Sequence, residues 1–395
     1  MSAPTCAAQP LRRGSGYADG LISGATWGLV AVLLTTVSAA LWGYPIVATT
    51  LVVAAAHDGA AALFLLGWSG ARGGLRAIAR LVASREAGAV IACSLLGGPV
   101  FMGGYVASMI LAGPAYALTL TATYPVIGAV LADRMLRQRL TGVGWLAVVG
   151  TTLGAALTAF GASSTESGVR TLVGLAIALM GAAAVALEGI LAYKVMVTAD
   201  PDAVLVLRQV FSAVLLAIAV LAVPDGITTM WALRMSDVGL LILIAGAIGG
   251  YSYATWYRAI RKIGVAKAMT LNITYAMWGI LLAWMIQQAS ASPSAVAGCI
   301  VVVAGAGLTI LSGRQQPSAH PLSEPQASAP ATSADGPVPV LRRRWWHVRR
   351  TPRFGRAVAG GSSTEWRGSR GDRASGPAGA AAAARRGAGR ARPAP

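Results

Sequence analysis

The stretch AYALTLTATYPVIGAVLA (115–132) decides the fold, because the chain contains it twice. Sliding the sequence against itself by 151 residues lays it over AKAMTLNITYAMWGILLA (266–283), identical at nine of 18 positions, among them Thr119/Thr270, Thr123/Thr274, Tyr124/Tyr275 and Gly128/Gly279. Shared apolar composition does not produce that density of matches, so the chain carries a duplicated unit. The same offset pairs Gly154, Leu157 and Thr158 with Gly305, Leu308 and Thr309, and His57-Asp58 with Arg208-Gln209. An offset of 161 lays ATWGLVA (25–31) over ALEGILA (186–192).

Outward from this repeat the sequence reads as membrane protein. Of 395 residues 55% are hydrophobic and only 12% charged, against about 25% charged in an ordinary soluble domain. The formal charge of +18 divides unevenly: residues 1–313 carry a net +7 and residues 314–395 a net +11. A spanning helix needs about 20 apolar residues. Glu86 and Asp133 are separated by 46 uncharged residues, as are Lys267 and Arg314, and Gly113-Pro114 and Ser292-Pro293 break these gaps in two. With the remaining apolar runs this predicts ten helices: Leu21–Leu41, Pro45–Trp68, Gly88–Leu111, Pro114–Ala132, Gly142–Gly161, Thr171–Tyr193, Ala203–Val223, Val238–Trp256, Ala268–Ile286 and Ser294–Ser312.

Lys and Arg concentrate in alternate loops, at Arg72, Arg76, Arg80 and Arg85, at Arg134, Arg137 and Arg139, at Lys194, and at Arg258, Arg261, Lys262 and Lys267. Placing those loops in the cytoplasm puts both termini inside. Five helices per repeat is an odd number, so the halves insert in opposite senses as inverted repeats. The expected architecture is an all-α integral membrane protein of two inverted five-helix repeats, N-in and C-in, with a disordered C-terminal tail. Its segments are a cytoplasmic lead of residues 1–19, repeats over 20–161 and 168–313, and a tail over 314–395. Residues 1–20 lack the apolar core of a cleaved leader.

Ionisable side chains inside spans are costly and read as functional. Four fall there: His57, Asp58, Glu188 and Arg208. Glu188 shares a helical face with Gly181, Ala184 and Ala192 and is the candidate for binding alternately a proton and a cationic or polar solute. The competing reading is a purely structural pair of Glu188 with Arg208 or His57. His57 and Asp58, being adjacent, project about 100° apart on a helix and cannot both face one partner. The repeated helices offer a second set: Ala117, Thr121, Tyr124 and Gly128 recur as Ala268, Asn272, Tyr275 and Gly279, one polar face per helix that must look inward. Trp27, Trp284 and Tyr251 are candidates to wall a cavity beside them.

No G-x-x-x-x-G-K-[ST] loop is present, which disfavours nucleotide-driven work by this chain alone, and no metal-ligand or C-x-x-C spacing occurs, so no cofactor is expected. Cys93 and Cys299 read as small buried hydrophobes.

Trp27-Gly28, Thr123-Tyr124-Pro125-Val126 running to Leu140-Thr141, Arg208, and Tyr251 to Gly264 leading into Ala266-Lys267-Ala268 together resemble the drug/metabolite transporter superfamily, in its ten-helix EamA-like permease branch. The resemblance covers roughly residues 18–313. It implies a plasma-membrane secondary transporter that exports, or less often imports, small metabolites, amino acids or drugs. Four-helix multidrug members of that superfamily carry a coupling carboxylate in the first helix of their unit, the place that Glu188 holds in the second repeat. The chain departs from the family pattern at Arg137-Gln138-Arg139-Leu140, where a Gly-Glu-Arg-Leu-like run is common, at Ala276, where Pro is common, and at His57, where Arg is common. The alternatives are a membrane-embedded enzyme using His57-Asp58 or Glu188 for acid–base work, and a non-transporting membrane regulator. The expected partners are a small-molecule substrate and the lipid bilayer, with the chain as monomer or homodimer.

The tail is rich in Ala, Gly, Pro, Ser and Arg and reads as disordered. Within it Arg342, Arg343, Arg344, Trp345 and Trp346 open a basic, aromatic segment suited to anionic lipid. No fold for nucleic-acid binding accompanies the charge.

Overall fold

Apolar helices crossing one another on small residues make up the structure, a computed structural model that describes residues 13–159, 168–288 and 292–314. In chain order the helices are α1 (Arg13–Ala40), α2 (Ile46–Ala71), α3 (Leu75–Val82), α4 (Ala87–Leu95), a π segment (Leu96–Gly103), α5 (Gly104–Ala112), α6 (Pro114–Thr121), α7 (Tyr124–Leu136), α8 (Gly142–Ala159), α9 (Val169–Met196), α10 (Pro201–Ala222), α11 (Gly226–Met235), α12 (Gly239–Ile263), α13 (Val265–Asn272), α14 (Tyr275–Gln287) and α15 (Pro293–Arg314). There is no strand among the described residues. Eight of the helical stretches are long and apolar enough to cross a membrane, counting α4 through α5 and α13 through α14 as one each. The other two expected spans are held by shorter helices, α8 and the pair α6–α7.

Element boundaries recur with the 151-residue period. Leu75 and Gly226 open α3 and α11, Tyr124 and Tyr275 open α7 and α14, and Gly142 and Pro293 open α8 and α15. Turn geometry recurs with them: Gly113 and Gly264 have φ of 90° and 86°, and Arg137 and Gln288 both have φ of 55° in the left-handed region that ends helices. Two features depart from the sequence reading. α3 and α11 stand where only loops were expected, and the expected span Pro114–Ala132 is two helices separated at Ala122-Thr123. Pro125 does not explain the separation, because α13 and α14 part at the equivalent Ile273-Thr274 with Ala276 in the proline's place. Both halves instead turn a threonine hydroxyl back on the chain, Thr123 to Leu120 O and Thr274 to Leu271 O, each at 2.7 Å. Such bonds compete with the helical ladder.

Small residues set the crossings, as expected where apolar burial gives no preference between helix and lipid. On α1 a ladder of Gly16, Gly20, Gly24 and Gly28 presses on Lys262, Leu271, Thr274 and Trp278. On α8 and α15, Gly154 lies on the backbone of Gly298 and Val302, and Gly298 on that of Gly154 and Thr158. Large hydrophobics such as Leu146, Leu153, Leu240 and Ile300 stay outside, each more than 60% exposed, a surface that fits lipid. The described residues all fall within one compact unit. The tail and its basic segment Arg342–Arg350 lie outside them.

Candidate functional site

Glu188 of α9 and Arg208 of α10 meet in the interior, both with no solvent exposure. Arg208 Nε donates to Glu188 Oε1 at 2.8 Å, and Tyr257 of α12 donates its hydroxyl to the same oxygen at 3.0 Å. A second arm of the guanidinium, Nη1, donates to Gln209 Oε1, and its plane lies 4.6 Å from the centre of the Tyr253 ring. Glu188 Oε2 and Arg208 Nη2 are left without partners. Both press on Gly97 in the π segment, where any Cβ would collide with the two of them. The sequence Leu96-Gly97-Gly98-Pro99 explains the wide turn: two residues without side chains admit close neighbours, and Pro99 has no N–H to hold a regular helix.

The pair His57-Asp58 of α2 is also fully buried. His57 Nδ1 lies 3.0 Å from Asp58 Oδ1. The other carboxylate oxygen accepts from the Ser212 hydroxyl of α10. His57 Nε2 has no partner and rests against Gly249 of α12, with Trp27 edge-on at 6.0 Å. The two side chains face different helices, as their angular separation requires, and still bond to each other. The arrangement is reciprocal. Position 208 repeats position 57, and each side chain rests on a glycine of a helix from the other half, His57 on Gly249 and Arg208 on Gly97, with Gly98, the repeat counterpart of Gly249, meeting Ser212.

Beside these groups lies a cavity of about 30 Å³, room for about two waters and no solute. Its walls are aromatic: Trp27, Phe101, Tyr124, Tyr253, Trp256 and Tyr275. The Tyr253 hydroxyl and Trp256 Nε1 have no partner. The polar part comes from the repeated face. Tyr124 donates to Asn272 Oδ1 at 2.6 Å, Asn272 Nδ2 donates to Ser23 Oγ at 2.7 Å, and the Thr121 and Tyr275 hydroxyls lie 3.4 Å apart. Trp27 therefore lines the cavity as expected. Trp284 does not: nine residues beyond Tyr275 it falls on the opposite helical face and is 57% exposed. Tyr251 is half-buried two positions before Tyr253 and lies outside the lining. A second cavity of about 190 Å³ opens where α2 ends and α10 begins, with Arg72, Arg258, Asp200 and Asp202 on its walls.

Sequence reasoning missed Tyr257, Tyr253, Gly97, Gly98, Gly249, Gln209 and Ser212 as members of the site. Gln209 was visible as the repeat partner of Asp58, and Gly97-Gly98-Pro99 as an unusual break inside an apolar run. Ser212 carries no signal in one dimension.

Residues 172–311 match the model of the EamA-like transporter family. Over that segment, about a third of the chain, the sequence is similar to the drug/metabolite transporter superfamily. Among curated proteins it is similar to Protein LicB of Haemophilus influenzae, 35% identical over 71 residues, 18% of this chain and 24% of that protein. The match thus spans about a quarter of that relative's length. A solved structure described as "Crystal structure of protein" superposes with a TM-score of 0.59 at 17% identity, covering 75% of this chain and 99% of the other. At that identity the likeness concerns the fold alone. Eight helical stretches long and apolar enough to cross a membrane make this a multi-pass membrane protein.

Proposed function

We propose that this protein is a secondary transporter, an exporter of a small metabolite, amino acid or drug-like solute. It works by alternating access between two inverted five-helix repeats, 20–161 and 168–313, with both termini in the cytoplasm. The observation that carries the reading is a cluster of four fully buried ionisable side chains set against an aromatic cavity, in a chain whose residues 172–311 match a transporter family. Such a cluster is expensive to bury and is retained where charge must move. The recurrence of element boundaries at 151 residues supports two states of similar energy, one open to each side. The small cavity suits an occluded state, and rocking of the halves enlarges it. Coupling to protons runs through the buried cluster around Glu188, whose free Oε2 leaves half of its pairing capacity for a cationic or polar solute.

The enzyme alternative draws less support from the geometry. Ser212 bonds to Asp58, not to His57, so the imidazole does not activate that hydroxyl as a nucleophile–base pair requires. The deciding test is uptake by inside-out vesicles of a solute panel, with and without a proton gradient. The proposal expects saturable, gradient-stimulated uptake of at least one class. Gradient-independent permeation of every class, equal to protein-free vesicles, contradicts it.

A further inference from the structure

Charge does not balance in the buried cluster. Asp58 and Glu188 are two carboxylates, Arg208 is one guanidinium, and among the described residues no other charged side chain is buried. With His57 neutral, one negative charge stands in excess between helices that cross the membrane, where an uncompensated charge is costly. A single added proton removes the excess.

Geometry says which atom can take it. Glu188 Oε1 accepts from Arg208 and Tyr257, two donors that suit an ionised carboxylate. Asp58 Oδ2 accepts from Ser212, and Asp58 Oδ1 faces His57 Nδ1, an arrangement again suited to an ionised acid. His57 is the remaining group: its Nε2 has no partner, it stands at the repeat position of Arg208, and it rests on Gly249 of α12 as Arg208 rests on Gly97, one residue away in the repeat register. Protonation turns it into the cation that the second half carries permanently.

We propose that His57 is the binding site of the coupling proton. Its imidazolium then pairs with Asp58, while Arg208–Glu188 stays ionised as a fixed pair. The inference rests on the reading of this chain as a proton-coupled transporter and narrows the coupling cluster to one side chain. Against His57 itself stand Asp58 on its own helix, the uncharged Trp27 of α1 and Gly249 of α12; Arg208 and Ser212 of α10 and Tyr253 of α12 act on Asp58, and Glu188 of α9 and Cys93 of α4 lie beyond them around Arg208. Trp27 touches the His57 ring and also lines the cavity, so loss of the proton is felt where a solute would sit.

The chain contains three histidines, His57, His320 and His347, which makes a direct readout practical. Histidine-selective ¹⁵N NMR of the full chain in nanodiscs isolates His57 as the signal lost in His57→Gln, or as the signal left when His320 and His347 are replaced together. The expected result is conversion of that signal from the neutral to the imidazolium form as the sample is acidified. In proteoliposomes His57→Gln is expected to lose most of the stimulation of solute flux by a pH gradient. A His57 signal that stays in one form throughout the titration overturns the assignment, as does full gradient stimulation in His57→Gln. Wild-type protein that moves no solute counts against the transporter reading, and the NMR titration still decides whether His57 takes the proton.

Discussion

The two stretches related by the 151-residue offset share element boundaries and turn angles and differ in chemistry. α6–α7 and α13–α14 part at equivalent residues and end on equivalent left-handed caps, although only the first has a proline and only the second an asparagine at the polar face. At the cluster the contrast is sharper. The second half places a permanent cation, Arg208, on the carboxylate Glu188 from a neighbouring helix. The first half places an imidazole, His57, on the carboxylate next to it in sequence, and where the second repeat has Glu188 it has Trp27. Small residues and turns recur along both stretches, whereas single interior positions differ, with Arg208 standing where the first stretch has His57.

The comparison can be broken where the halves touch. Gly97→Ile gives the first half the residue that the second carries at Ile248. Its side chain would enter the space of Arg208 and Glu188, so the account expects loss of folded protein or destabilisation above about 4 kcal/mol. Ile248→Gly, the converse change at a half-buried position, should cost only about 1–2 kcal/mol. Thermal unfolding in detergent compares the two; equal effects would mean that the glycine has no special neighbour.

Next in size is the difference between the two ion pairs. Glu188→Gln leaves the Arg208 charge buried without its counter-charge, at a cost of about 3–5 kcal/mol. His57→Gln removes one hydrogen-bonding group whose charge can be left off, at about 1 kcal/mol. Unfolding midpoints that rank the other way would place the fixed pair in the first half. A smaller asymmetry holds at the repeated tyrosines. Tyr124→Phe loses donation to Asn272 and to Met269 O, about 1–2 kcal/mol, whereas Tyr275→Phe loses one long contact to Thr121 and should stay within about 0.5 kcal/mol. Smallest of all is Pro125→Ala. Because Ala276 tolerates the same break, hydrogen exchange around Ala122-Thr123 should be unchanged; new protection there would show that the proline makes the break.

Much of this was legible in the sequence. The charge gaps and the 151-residue repeat located the helices, the separation of apolar runs from the basic tail, and the inward polar face of Thr121, Tyr124, Asn272 and Tyr275. The four buried ionisable residues were found because hydrocarbon makes them conspicuous one at a time. Their pairing was only half visible. Glu188 with Arg208 was foreseen as an alternative, but Tyr257 and Ser212 reach the cluster from helices far along the chain, and nothing in a uniformly apolar sequence marks which face they occupy. Gly97 was hidden for a related reason: 48 glycines pack helices throughout, and only the crossing shows which one lies under a charge. The short helices α3 and α11 were missed because eight to ten residues between spans give too little periodicity to separate from loop.

Proton displacement on solute binding tests the central claim most directly. The purified protein in weakly buffered detergent receives a solute identified by the vesicle panel, and the released protons are counted. The account predicts stoichiometric release by the wild-type protein and none by His57→Gln at equal solute occupancy. Solute binding by the wild-type protein that moves no proton at any pH would contradict it.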